Sequence, residues 1–585
     1  MRALALLLVA ACGELSRESV SAPLALSADG RALWVVNPDA DSVTRIDLDT
    51  LRADPPVPVG REPWSVAVTA AGTVLVVNRA DGTLTFLDDD GRTDVAVGAE
   101  PGGVAVAGDV AYVTVSGSDE VVVVDVPDRR VVRRLAVGRL PWSIAVTLAG
   151  SVVVTHRLAV AERAWITLLP AGTEVSLAPD PFGHPNGLEG LAVNGDTVYL
   201  AHLLAAPAPP RDFEHTVSAG LTAISLSAGG PVGALHLNDS DFSTPVNFPR
   251  AVAIDGNRAY VVLAGTDAVM GIDLAKQELV GFWAVGKNPR GIVLDPDRTR
   301  AYVMNYLSRD VSVVDLTEPI RRSELARISV VGETLPAKLL RGKILFNNAN
   351  DPRISHLGWI SCGTCHLDGG VDGITWITPD GPRQTQPLWS LDGTAPFHAS
   401  ATRDEVQDFE ADIEGLMDGI GLSPRQAPAE LGTPSGERSA DLDALAEFVL
   451  RGVRVPRAKA TATDGGRARF AGAGCPSCHG GPHFTVSGLP GSPGTLAPNG
   501  EVEVMASLRD VGTLDPADVL GANGFDVPTL LGLSATAPYL HDGSAATLEE
   551  VLRNPAHTGI PLDAEQISEL AAFLRTIDDT TEPFR

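Results

Sequence analysis

The sequence predicts a multidomain protein, with an N-terminal all-β seven-bladed β-propeller followed by two mainly α domains. Three observations point there. Proline returns at intervals near forty residues between Ala22 and Thr317, mostly ahead of short apolar strands. Beyond residue 335 the apolar spacing becomes helical, and the second half repeats its own order around two copies of Cys-x-x-Cys-His. At 585 residues the chain is too long for one core.

The chain opens on Met1-Arg2, a minimal positive region, then a short apolar run from Ala3 to Val9. Val9-Ala10-Ala11-Cys12 resembles a bacterial lipoprotein box, which makes residues 1–12 the expected signal and Cys12 the expected lipidated residue. An ordinary cleaved signal is the alternative. Either reading predicts export, to the periplasm or cell surface. Gly13 after the cysteine points to the outer membrane, with the lipid anchor as the one membrane contact.

The propeller is expected over residues 22–317. Pro23, Pro63, Pro101, Pro141, Pro185, Pro249 and Pro289 are spaced by 40, 38, 40, 44, 64 and 40 residues. Most precede an apolar strand such as Trp64 to Val68, and a second strand follows about ten residues on: Trp34 to Asn37, Val74 to Asn78, Ala111 to Thr114, Val152 to His156, Val198 to His202, Ala259 to Val262 and Ala301 to Asn305. Seven such units imply seven blades. The strands resemble the Tyr-Val-Thr-Asn type of propeller repeat, a likeness of fold that leaves function open. The long fifth unit reads as holding an insertion, Leu203 to Ser218, with His215; His156, His184 and His202 are close in sequence. These histidines are either a metal or substrate site at the channel mouth or scattered loop histidines.

Residues 318–335 read as a linker, 336–456 as the first mainly α domain and 457–585 as the second. Pro336 to Phe346 has a helix period with proline at the first turn. Cys362-Gly-Thr-Cys365-His366 and Cys475-Pro-Ser-Cys478-His479 each place two thiols and an imidazole as covalent haem attachment requires: the thiols add to two vinyl groups and the histidine ligates iron. A disulfide or half a zinc site is the alternative, but Cys365 and Cys475 are 110 positions apart and a histidine follows both pairs. Gly466 to Phe470 mirrors Gly342 to Phe346, Thr536 to His541 mirrors Thr394 to His398, and Leu570 to Leu574 mirrors Leu445 to Val449. This is a duplicated cytochrome c domain with two haem c groups. Phe346 should pack on Phe448, and Phe470 on Phe573.

Gly342 to Phe346, Asp351-Pro-Arg-Ile-Ser355, the two haem motifs, Thr536-Ala-Pro-Tyr-Leu-His-Asp-Gly-Ser544 and Thr547 to Val551 resemble the bacterial di-haem cytochrome c peroxidase family, which includes the methylamine-utilisation type. The likeness spans residues 336–578. It implies two haems near an interdomain interface, His366 and His479 as proximal iron ligands, and a structural calcium ion between the domains. Where that family carries an aromatic-Asp-Gly-Arg sequence, this chain has Phe397-His-Ala-Ser400. Met417 is the candidate sixth ligand for the first haem, a core methionine being the alternative. For the second the family's methionine or tyrosine is replaced by Asn554-Pro-Ala-His557, so His557 is the candidate, with His541 and Met505 as rivals. Glu405, Glu410 and Glu414 are candidate acids near the first haem; Trp359, Trp376 and Trp389 are candidate electron bridges or core residues.

A net charge of −28 argues against nucleic acid and suits a basic redox partner such as a small cationic cytochrome, although acidity also serves solubility. Three functions follow: an exported electron-transfer protein, a di-haem peroxidase reducing hydrogen peroxide, or a propeller docking platform with haem as its redox reporter. The sequence leaves open whether the chain is an enzyme.

Overall fold

A computed structural model describes residues 18–210, 215–238, 245–317, 324–378, 381–424, 435–458, 464–488, 508–515 and 524–584. Its N-terminal half is a ring of seven antiparallel sheets, each a meander of four strands. The innermost strands start at or beside the repeat prolines: Leu24–Leu26, Pro63–Val68, Pro101–Ala107, Pro141–Val146, His184–Asn194, Pro249–Asp255 and Pro289–Leu294. Proline lacks an N–H, and the first residue of a strand is where that loss costs the ladder least.

The middle strands are β-branched on both faces because each blade is sandwiched between two others. Val35, Val43, Val76, Leu84, Val113 and Val122 are fully buried. Asn37 ends the second strand of blade one and donates to Ser42 and Thr44 on the third, at 3.1 and 2.9 Å. Asn78 and Asn305 repeat this in blades two and seven. The ring closes between blades seven and one by a shared apolar cluster and by Thr44 Oγ1 donating to the Val330 carbonyl at 2.7 Å.

Two boundaries differ from the sequence reading. Glu324–Ser329 is the outermost strand of blade seven, so much of the expected linker belongs to the propeller. Its sequence, Glu-Leu-Ala-Arg-Ile-Ser, hides it, since only Ile328 is buried and an outermost strand has little to bury. In blade five, Thr197–Ala205 pairs with Val217–Ser225 throughout, so the ends of the expected insertion extend a hairpin. Ahead of blade one, Ser19–Val20 pairs with the inner strand of blade four, and Ala22 bridges to Val66 of blade two. The N-terminal segment thus crosses the inner strands at one end of the channel.

In each half of the helical region an early and a late helix cross. Ala337–Asn347 packs on Ala440–Arg451, with Phe346 and Phe448 edge to face at 5.1 Å. Asp464–Gly472 packs on Ala564–Leu574, with Phe470 and Phe573 at 5.4 Å. Both expected aromatic pairs are present. No helix among the described residues is long and apolar enough to cross a membrane.

The helical part is seated on one face of the propeller through ion pairs. Arg454 binds Glu62 and Glu100, each at 2.7 Å, and Lys343 binds Asp39 at 2.7 Å. A third group centres on Asp368, which follows the first Cys-x-x-Cys-His motif.

Candidate functional site

The first motif lies on the short helix Cys362–Cys365. Ser361 and Thr364 cap it reciprocally, and His366 N–H donates to the Cys362 carbonyl at 3.0 Å. Asn247 of the propeller donates to Thr364 Oγ1 at 3.0 Å and to the Trp359 carbonyl at 2.8 Å. Leu367 and Val371 bury themselves against propeller residues Leu158, Leu203, Val217 and Phe248, and Cys365 packs on the same cluster. The propeller therefore covers this motif.

Burial pushes the Cys362 thiol up to about 12, so in the bare chain it is a protonated thiol. Burial also lowers His366 to about 4; the Gly370 and Gln386 carbonyls face its ring without closing a hydrogen bond on Nδ1. A buried imidazole that stays neutral keeps a lone pair for a metal. Two thiols and one such imidazole fit a covalently attached haem.

The second motif spans Cys475 and the short helix Pro476–His479, and here Ser477 is exposed. His479 Nδ1 faces the Phe484 carbonyl at 3.3 Å, which leaves Nε2 to a ligand. Burial, then the neighbouring His557, lowers His479 to about 4. His557 sits on the short helix Pro555–Thr558, which Asn554 caps by accepting from Ala556 N–H while donating to the Val511 carbonyl at 2.7 Å. This start turns His557 toward His479: the ring centroids are 6.3 Å apart. Metal–imidazole bonds of about 2 Å place each ring centroid about 3 Å from the metal, so two rings across one metal stand about 6 Å apart. Burial lowers the pKa of His557 as well, and its Nδ1 is buried without a hydrogen bond.

The rival His541 lies flat on Phe525, centroids 3.6 Å apart, with Nδ1 at 3.3 Å from Thr513 Oγ1. Met505 and Cys12 lie outside the described residues. Met417 is buried in the first domain's core with Phe346, Trp359 and Ile413, against which Cys362 also packs.

The three acids separate. Glu405 accepts from the backbone N–H groups of Ser435 and Gly436, a structural role. Glu414 lies beside Gly421. Glu410 is fully buried; Oε1 accepts from Ser423 N–H and Oε2 has no partner among the described residues.

The tryptophans separate too. Trp359 is core. Trp376 donates to Asp372 at 2.9 Å, and burial raises that carboxyl to about 6. Trp389 donates to the Leu531 carbonyl of the second domain at 2.7 Å and flanks Gly370 of the first motif's loop, so it spans the two domains. Among the described residues no three His, Cys, Asp or Glu side chains group as a metal site.

His156 and His202 occupy the place asparagine takes in blades one, two and seven. Each bonds a third-strand threonine through Nε2 at 2.8 Å, to Thr167 and Thr222. They are blade residues, and His184 instead pairs with Glu162 at 3.4 Å.

The family described as RoxA-like, cytochrome c-like matches residues 524–558. The cytochrome c551 peroxidase of Nitrosomonas europaea is 27% identical over 293 residues, 42% of this chain and 80% of that protein. The methylamine utilization protein MauG of Methylorubrum extorquens is 29% identical over 313 residues, 44% of this chain and 82% of that protein. Among solved structures, a chain of Kuenenia stuttgartiensis hydrazine synthase aligns with TM-score 0.46 and 21% identity, covering 51% of this chain and 97% of that one. The protein joins a seven-bladed β-propeller to a cytochrome c peroxidase-like module, and such a module carries covalently bound haem c.

Proposed function

We propose that the protein is an exported electron carrier with two covalent haems, one at Cys362–His366 and one at Cys475–His479, the second closed by His557 as sixth ligand. The single observation that carries this is the 6.3 Å between the His479 and His557 rings. A haem held there would supply one-electron chemistry, and with His479 and His557 both bound to its iron it would offer no place for a substrate.

The chain's own residues divide the work. Asn247, Leu367 and Val371 exclude water from the first motif by docking it on the propeller. The second motif, with Ser477 exposed, is the surface a partner can reach. With the acidity of the chain as a whole, this fits a small cationic cytochrome or another exported carrier. Met417 is assigned as sixth ligand of the first haem, Cys12 as the lipid anchor and the periplasm or cell surface as the location. A structural calcium ion between the domains comes from the family resemblance alone.

A second reading has one observation in its favour. Glu410 is fully buried in the first domain and its Oε2 has no partner among the described residues, and a buried carboxyl of this kind can hold the proton that a hydrogen-peroxide-reducing enzyme must deliver. Optical and EPR spectra of the purified protein, oxidised and half-reduced, decide between them. Two low-spin centres that hydrogen peroxide leaves unchanged in both states support the electron carrier. A high-spin centre that reacts with peroxide overturns it in favour of the peroxidase.

A further inference from the structure

Six of the seven residues that follow a repeat proline line the propeller's central channel, and two of these, Arg250 and Arg290, are arginines. With Arg157, the residue just past the second strand of blade four, they converge on the carboxylate of Asp368. Arg157 approaches Oδ2 at 2.5 Å, and Arg250 and Arg290 approach Oδ1 at 3.0 and 2.9 Å. Glu189 of blade five ties the arginines together, meeting Arg157 at 2.7 Å and Arg250 at 2.6 Å. Each guanidinium also lies 4.1 Å over an aromatic ring: Arg157 on Trp142, Arg250 on Phe248 and Arg290 on Tyr306. Such stacking fixes the planar forks so that they meet a carboxylate in one orientation. All five charged side chains are at least nearly nine-tenths buried.

Asp368 is two residues past His366 and takes a left-handed backbone conformation, φ +52°. The same loop is held on either side by the propeller. Asn247 bonds Thr364 before it, and Asn186, which follows another repeat proline, donates to the Asp372 carbonyl at 2.9 Å after it.

We propose that Asp368 is a positioning residue: the propeller's arginine clamp holds the loop that orients His366 and sets the electrostatic field at the first haem, so the propeller is part of that haem's site. This rests on reading Cys362–His366 as a haem attachment. Three arginines against two carboxylates leave the cluster one positive charge in surroundings of low dielectric. Reduction of a haem iron adds a negative charge beside it, so a more positive cluster favours the reduced state.

The test is a redox titration of the full-length holoprotein that follows each haem separately, on Asp368→Asn and Arg157→Gln. Removing the carboxylate charge should raise the midpoint potential of the first haem. Removing the arginine charge should lower it, and the second haem should keep its potential in both. Weaker thermal stability is expected of both variants, since each leaves a buried charge unpaired, and it decides nothing. The opposite signs do, because a merely structural contact moves both variants alike or neither. Full haem content with no shift, or with shifts of one sign, overturns the clamp. A pyridine haemochromogen assay giving fewer than two haem c per unmutated chain, with peptide mass mapping that finds Cys362 and Cys365 unmodified, overturns the underlying reading instead.

Discussion

Gly342 lies directly against the Ala444 carbonyl, with no room for a Cβ between the crossing helices Ala337–Asn347 and Ala440–Arg451. The obstacle is backbone, which a side chain's rotation cannot relieve. Gly342→Ala should therefore force the helices apart and strain the Phe346–Phe448 pair one turn on. The expected cost is about 1–3 kcal/mol, the usual range for overpacking a filled core. Denaturant unfolding followed by circular dichroism checks it, and a variant as stable as the parent would contradict the crossing described.

Acid sensitivity of the propeller should trace to His156 and His202. Burial holds both at about 4 against an ordinary 6.5, so the folded state keeps them neutral while the unfolded chain takes protons first. The sign follows: this stability is whole above about pH 6.5 and is lost as the pH falls toward 4. At 1.36 kcal/mol per pKa unit, each residue accounts for roughly 3 kcal/mol across that window. His156→Asn and His202→Asn restore the residue that blades one, two and seven already use to bond the third strand. The double variant should lose much of the dependence between pH 6.5 and 4 in thermal unfolding. An unchanged profile would assign the sensitivity to carboxylates.

These histidines also mark how far the sequence could be read. The seven prolines, the ends of the second strands and both aromatic pairs were legible because each repeats, and repetition separates a structural position from chance. His156 and His202 stand in the same column as Asn37, Asn78 and Asn305, so their role was visible in the alignment of units rather than in the residue type. Glu324–Ser329 was hidden because an outermost strand buries one face at most, and its charges read as linker. The Asp368 clamp was out of reach: its arginines come from three blades far apart in sequence, and only ring closure brings them together. His557 was placed by its distance from the His-Asp-Gly-Ser stretch, but what turns it toward His479 is the Asn554 cap and its tie to Val511.

The seating of the helical part on the propeller should depend on Lys343. Its ammonium group is buried, bonded to Asp39 at 2.7 Å and to the Tyr306 hydroxyl at 2.5 Å, and burial lowers its pKa while the carboxylate opposes that. Lys343→Met keeps most of the volume and leaves Asp39 with Tyr306 and Arg309. Breaking one side of a buried pair costs about 3–5 kcal/mol. The expected outcome is a lower unfolding temperature for the helical part and a wider solution scattering envelope. Lys343→Met together with Asp39→Asn should recover part of the loss, because the carboxylate that lost its ammonium partner is then neutral as well and Arg309 keeps Glu333.

The two sixth-ligand assignments separate in a pair of variants. His557→Ala removes a ring that faces His479 from 6.3 Å, on a helix whose cap and packing do not depend on the imidazole. It should convert one of two low-spin EPR signals to high-spin and leave the other as it was, with stability changed by less than about 1 kcal/mol, as for other partly exposed sites. Met417→Ala acts differently, because Met417 is inside the first domain's core with Phe346 and Trp359. Its truncation should cost about 2–5 kcal/mol whether or not sulfur meets iron, so stability cannot report ligation. The signal can: if Met417 ligates, the second low-spin species disappears and the absorption band of a sulfur–iron bond goes with it. Met417→Leu, which fills the same volume, separates the two effects. It should keep the core and still lose the signal, and a Leu variant with both low-spin centres intact would return Met417 to the core alone.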